Sequence, residues 1–178
     1  MNINAKDYIT EQQFWDIIER SNKGKNLVDI LMPLTKQEII GYVYWWNHFN
    51  IISYRQDLWA VAYVVLGGCS DDGFDYFRFW LVARGKDVYY AALENADSLC
   101  NQFLNLPSDE YPEAEALDYA YIEVFNERFG KDSFYSDEEC DFDYTRPEIV
   151  FKWEEDDEES IREVVPKTFD KWWGNDEF

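Results

Sequence analysis

The sequence predicts an all-α protein, and three observations carry that expectation. Capping boxes introduce apolar residues spaced three and four apart, at Thr10-Glu11-Gln12-Gln13 and again at Thr35-Lys36-Gln37-Glu38. In each, the threonine bonds the third amide while Gln or Glu reaches back to the cap. Sustained period-two alternation and hairpin dipeptides such as Asn-Gly are missing. The chain also runs for 178 residues without an internal repeat or a Ser/Gly linker, a length that builds one substantial core. The expected architecture is therefore a single-domain compact bundle of about seven to nine helices over residues 1–178. An irregular acidic segment, 131–152, precedes the C-terminal helices.

Each element follows from local pattern. After Thr10 the run FWDII places Phe14, Ile17 and Ile18 on one helical face. Asn26 to Met32 reads as a short helix stopped near Pro33, and after Thr35 the series Ile39, Ile40, Val43, Trp46 and Phe49 continues the helical spacing. Arg55 to Leu66 is apolar nearly all round, with Leu58, Ala62 and Val65 inward, which marks a central helix. Helices are expected over Asp71 to Arg84, Lys86 to Asn95 and Asp97 to Leu104, then a loop from Pro107 to Pro112. Ala114 to Phe129 is a long helix with Leu117, Tyr121, Val124 and Phe125 inside, stopped by Gly130. Beyond the irregular segment, in which Glu148 to Lys152 is a possible short strand, come a helix from Ile161 to Val165 and a final turn ending at Trp172-Trp173.

Charge is the outlier of the composition. The 16 basic and 37 acidic residues give a net charge of -21. Residues 1–106 carry 9 basic and 13 acidic side chains, whereas residues 107–178 carry 7 and 24. The second part repels nucleic acid and anionic lipid, so neither direct nucleic-acid binding nor membrane binding is expected, and it steers basic partners. Cys69, Cys100 and Cys140 are odd in number and form no CxxC pair, as in reduced cytosolic proteins. The stretch MNINAKDYITEQ has no apolar signal core, and Leu58 to Leu66 is too short to span a bilayer. A soluble cytoplasmic protein is expected.

The stretch GGCSDDG, Gly67, Gly68, Cys69, Ser70, Asp71, Asp72 and Gly73, resembles a catalytic signature but has a structural explanation. Gly67 suits a positive φ after a helix, Ser70 an N-cap, and Asp71 and Asp72 the positive end of the helix dipole. Gly73 would permit close helix approach. Phe74, Phe77 and Leu81 form the inner face, and Asp75–Arg78 a surface pair. A Cys69–His48 nucleophile is opposed by the two aspartates, and the glycines match neither a dinucleotide fingerprint nor a P-loop, so no cofactor is expected. The Asp141-Phe-Asp143 run begins like a calcium loop but has Arg146 where glycine is required and Lys152 where glutamate is required. The consecutive carboxylates of Glu154 to Glu159 fit a solvated first turn better than a metal site.

With these residues placed, the chain resembles a bacterial family, domain of unknown function 4240. The likeness rests on FWDII, on DLWAVAYVVLGGCSDDGFDYFRFWLVARGKDVYYAALENADSL (Asp57 to Leu99), on YAYIEVFNERFG (Tyr119 to Gly130), and on WEEDDEESIREVVPKTFDKWW (Trp153 to Trp173). Ala96 departs from the family, where proline is common. The resemblance implies a small cytosolic helical protein, often encoded in genomes rich in toxin and defence genes, and carries over no catalytic residue.

The leading expectation is an immunity or antitoxin-like protein that blocks a basic effector such as a nuclease toxin. The candidate partner-binding residues are Tyr111, Asp137, Glu138, Glu139, Asp141, Asp143, Tyr144, Trp153, Glu154, Glu155, Asp156 and Asp157. Charge would set the rate of encounter and aromatics would hold the complex. The alternatives are a nucleic-acid mimic that occupies a DNA- or RNA-binding protein, and an enzyme using the SDDGFD stretch. The enzyme reading requires Asp71, Asp72 and Asp75 to converge in a pocket.

Overall fold

Two reciprocal caps set the first half of the molecule in register. Thr10 accepts from the Gln13 amide while Gln13 bonds back to the Thr10 amide, starting α1 (Glu11–Arg20), and Thr35 and Glu38 do the same for α3 (Lys36–Ile52). A computed structural model of the chain describes residues 4–106 and 110–175. Between α1 and α3 lies α2 (Leu27–Leu31), and after them come α4 (Gln56–Leu66), α5 (Asp71–Ala83) and α6 (Lys86–Glu94). The remaining helices are α7 (Ala116–Phe129), α8 (Ser133–Ser136), α9 (Glu158–Val164) and α10 (Pro166–Trp172). Short 3-10 turns cover Ala5–Asp7, Ala96–Asn101 and Glu138–Cys140. Among the described residues every regular element is helical.

The core forms because α3, α4 and α5 are apolar on more than one face. Seven of the eleven residues of α4 are buried, which places it centrally as its composition requires. Helix α3 packs against α1, α5 and α7, and α10 packs against α4, α9 and the Ala96–Asn101 turn. One continuous hydrophobic cluster runs from Ile9 to Trp172, so the C-terminal helices share the core of the N-terminal ones. Phe14, Ile17 and Ile18 are all buried in it, as are Tyr121, Val124 and Phe125. Leu117 is only partly buried.

Two expected elements take other forms. In place of a helix from Asp97 to Leu104, a 3-10 turn spans Ala96–Asn101, and the Asp97 side chain reaches across to α10. The Asp97 carboxylate accepts from the Lys167 amide (2.9 Å), the Thr168 amide (2.7 Å) and the Thr168 hydroxyl (2.8 Å). It thereby caps a helix that starts some seventy residues later and locks α10 to the turn. Glu148 to Lys152 has no regular structure, so the expected strand does not form. Its neighbour Trp153 anchors it by donating its indole N–H to the Gln56 carbonyl at 2.9 Å.

Close backbone approach occurs at Gly41. A Cβ there would lie 3.0 Å from the Ile9 amide nitrogen and 3.0 Å from Tyr8 Cβ, so α3 and the Ala5–Asp7 turn touch through a missing side chain. Gly73, expected to serve that purpose, has only ordinary contacts: its nearest neighbours, Cys69 Sγ and Ser70 Oγ, would stand 3.5 Å from an added Cβ.

Candidate functional site

The Gly67–Gly73 stretch is a helix junction. Gly67 ends α4 with φ 66°, in the left-handed region, and the Gly68 amide closes back on the Tyr63 carbonyl at 2.9 Å. Ser70 accepts from the Gly73 amide at 3.2 Å, and Asp71 and Asp72 fill the first turn of α5. The Cys69 thiol is pushed up to about 12 by burial, then by Glu113, Asp71 and Asp75, which leaves it protonated at neutral pH. The His48 ring lies elsewhere, stacked on Tyr44 and edge-on to Trp45 and Phe49. Burial lowers its pKa. All three cysteines are unbridged.

Asp75 is engaged in ion pairs. Its carboxylate holds two arginines, Arg78 on one oxygen and Arg146 on the other. Arg78, expected on the surface, is 2% exposed. Its guanidinium donates to the Asn50 carbonyl and lies 5.0 Å over Tyr54 and 5.1 Å over Phe74. The Arg78–Asp75–Arg146 chain of charges therefore ties the irregular segment to α5. The aromatic residues beside it explain why an arginine is tolerated there.

The acidic segment folds back onto α7 and encloses a groove of about 540 Å³. Asp118, Tyr121 and Ile122 of α7 line one side, and Phe134 to Glu138 with Cys140, Asp141 and Tyr144 line the other. Asp118 accepts from Trp46 Nε1 at 2.9 Å and from the Tyr121 hydroxyl at 3.1 Å. Burial raises its pKa, and those two bonds partly oppose the shift. Tyr135 and Tyr144 are exposed at the rim, 72% and 51%. Among the described residues no hydrogen bond or ion pair engages the carboxylates of Glu138 and Asp141, and both residues are exposed.

The expected partner-binding residues are divided among several places. Glu138, Asp141 and Tyr144 meet in the groove, with Asp137 on its wall. Asp137 is paired with Lys36 of α3, which holds its carboxyl below the usual range, and Glu139 accepts from the Tyr8 hydroxyl. Both acids anchor the segment. Asp143 closes a local turn by accepting from the Thr145 amide at 2.9 Å. Trp153 is a correction: it is 5% exposed, packed 5.3 Å from Tyr63, and belongs to the core. Glu154, Glu155 and Asp156 are exposed beside α4, where Glu155 and Asp156 raise the Tyr63 pKa after burial. Asp157 caps α9 through the Ser160 amide. Tyr111 is 54% exposed and lines a different cavity, with Lys23, Lys25, Trp80 and Arg84.

Tyr135, Tyr121 and Asp118 were missing from the expected set. Asp118 and Tyr121 lie one turn apart on α7, a spacing that placed Tyr121 inside but did not reveal that its hydroxyl reaches the groove. Among the described residues no group of three His, Cys, Asp or Glu side chains is placed to hold a metal ion. No helix there is long and apolar enough to cross a membrane.

A family model described as "Protein of unknown function (DUF4240)" matches residues 9–127. The chain belongs to the DUF4240 family. The match includes FWDII, the Asp57 to Leu99 segment and most of Tyr119 to Gly130, and it ends before the groove's second wall and before Trp153 to Trp173. No curated protein and no solved structure matches the chain. In this DUF4240 protein the matched residues supply most of α7, and residues outside the family match complete the groove.

Proposed function

We propose that the chain is an immunity or antitoxin-like binding protein that engages a basic effector through the groove between α7 and residues 134–144, a nuclease toxin being the class of effector that fits best. One observation supports this reading above the others: free carboxylates, Glu138 and Asp141, stand beside exposed tyrosines in a concave surface. A nuclease must present a positive cleft to phosphates, and such a cleft is complementary to anions flanked by rigid aromatic rings. The net charge of -21 would steer the approach and the tyrosines would supply the short-range hold. Nucleic-acid mimicry calls for a continuous row of phosphate-like charges, whereas Asp137, Glu139 and Asp143 are occupied by internal partners. The groove favours a protein partner.

The test is association kinetics with a partner recovered on the intact protein. Glu138→Lys with Asp141→Lys should slow association about tenfold or more and flatten its salt dependence, while Asp16→Lys with Asp29→Lys should do much less. Tyr135→Ala should act mainly on dissociation. Equal slowing from the two charge pairs, or a partner without a basic surface, would sink the reading.

A further inference from the structure

We propose that the cavity at the C-terminal end of α5, lined by Trp80, Arg84, Lys23, Lys25 and Tyr111, binds a small molecule through an oxyanion group, a phosphate or a carboxylate. This site is separate from the groove and does not depend on it. Its volume, about 780 Å³, suits a ligand of mononucleotide size.

The first support is an orphan donor. Of the six buried tryptophans, Trp15, Trp46, Trp59, Trp153 and Trp172 each donate the indole N–H to an oxygen. Trp80 is 3% exposed and its Nε1 has no acceptor. A buried N–H left unpaired costs about 1–3 kcal/mol, and Trp80 is among the residues that line the cavity, so an anion seated there would relieve that cost once a small side-chain shift opened the N–H to it.

The second support is the guanidinium above it. Arg84 lies 4.7 Å over the Trp80 ring, and its Nε is also buried without an acceptor. Burial lowers the Arg84 pKa, and nearby Glu110 partly opposes that shift. The guanidinium is the planar donor group that phosphates and carboxylates bind.

The third support is charge placement. Residues 1–106 hold nine basic side chains, and Lys23, Lys25 and Arg84 are gathered at this one cavity of a strongly acidic protein. Lys23 is held at φ 60°, in the left-handed region, by the tight α1–α2 connection. Glu110 and Glu113 also line the cavity, and Glu110 stands 3.7 Å from Lys25 in an exposed pair that an incoming anion can replace. Tyr111, half-exposed, lines the same cavity and supplies an aromatic ring for a planar ligand.

The experiment is an NMR titration read at the indole N–H resonances of the intact protein. The Trp80 signal is identified by its loss in Trp80→Phe, or by its proximity to Phe103 and Arg84 if that variant does not fold. The probes are inorganic phosphate, adenosine 5′-monophosphate and citrate, each to roughly 10 mM, with adenosine as the neutral comparator. Saturable movement of the Trp80 N–H is expected with the anions, weakened about tenfold or more in Arg84→Gln. Response to phosphate and the monophosphate but not citrate assigns a phosphate ligand, and the reverse assigns a carboxylate. The proposal is overturned if Trp80 stays still with all three anions, as it would with a water satisfying the N–H. It is also overturned if adenosine moves it as far as the monophosphate, or if Arg84→Gln titrates like the wild type.

Discussion

Between Glu11 and Glu94 the chain passes through six helices whose apolar faces merge into one core, whereas from Lys131 to Asp157 it forms the four-residue α8, one 3-10 turn and long irregular stretches. The first region is stabilised by area: burial of whole faces, with each residue replaceable in part by its neighbours. The second is stabilised by points. Asp137 on Lys36, Glu139 on Tyr8, Arg146 on Asp75, Phe134 against Tyr121 and Phe125, and Trp153 on Gln56 hold it to the body. Area tolerates single losses, while points do not. The segment that carries the groove's free acids is therefore the part most sensitive to loss of one anchor.

Arg78→Ala should break the comparison most severely, because Arg78 belongs to both regions. It removes a buried cation that bridges Asp75 and the Asn50 carbonyl, and Asp75 also holds Arg146. Losing one partner of a buried pair costs about 3–5 kcal/mol, and thermal or denaturant unfolding should show it. Arg78→Met, which keeps the volume without the charge, should recover much of that loss. If Arg78→Ala were neutral, the segment would be held by its apolar contacts alone.

Asp97→Ala comes next, at about 2–3 kcal/mol, since it deprives the start of α10 of three hydrogen bonds to one carboxylate. Limited proteolysis should then cut first near residues 165–170. A uniform loss of protection across α3 to α5 instead would mean that α10 is part of the body's cooperative unit. Ser70→Ala should cost about 1 kcal/mol in the same unfolding measurement, with no change in the C-terminal segment.

These three differ in how well the sequence announces them. Ser70, Thr10 and Thr35 act on amides three residues away, so their roles are readable from local spacing, and the helices they start lie where expected. Asp97 acts on amides seventy residues on, which no local pattern encodes. Arg78 at i, i+3 from Asp75 has the spacing of a surface pair, and only the packing of Tyr54 and Phe74 around it makes the pair internal. Trp153, followed by six carboxylates, reads as surface although its ring is in the core. For the groove, sequence identified the acidic segment and Tyr144 but could not distinguish Glu138 and Asp141 from the anchoring Asp137 and Glu139. That distinction depends on whether α3 and the N-terminal turn present Lys36 and Tyr8 opposite them. The Trp80 cavity was hidden for the same reason, since Lys23, Lys25 and Arg84 come together only through the fold.

The smallest expected effect is the pH dependence of the Lys36–Asp137 anchor. The bond to Lys36 depresses the Asp137 carboxyl, with the Glu139 amide helping, and the same bond raises Lys36. A depressed carboxyl contributes stability that is present above its unfolded value, about 3.9, and is lost as pH falls through the lower folded value. A raised lysine contributes stability complete below about 10.4 and lost as pH rises through the higher folded value. The anchor should thus be strongest between about pH 5 and pH 9 and loosen below about pH 4. Partial exposure of both side chains limits it to about 1 kcal/mol or less. Asp118, whose pKa is raised by burial, responds with the opposite sign, so a global melting curve would blur the two. Hydrogen exchange at the Cys140 amide, which bonds the Asp137 carbonyl at 2.9 Å, isolates the anchor, with the Phe74 amide of α5 as the internal reference. Acidification should speed exchange at Cys140 relative to Phe74, and Lys36→Met should remove that pH dependence while leaving Phe74 unchanged. Persistence of the acid response in Lys36→Met would transfer the anchoring role to the Glu139–Tyr8 contact.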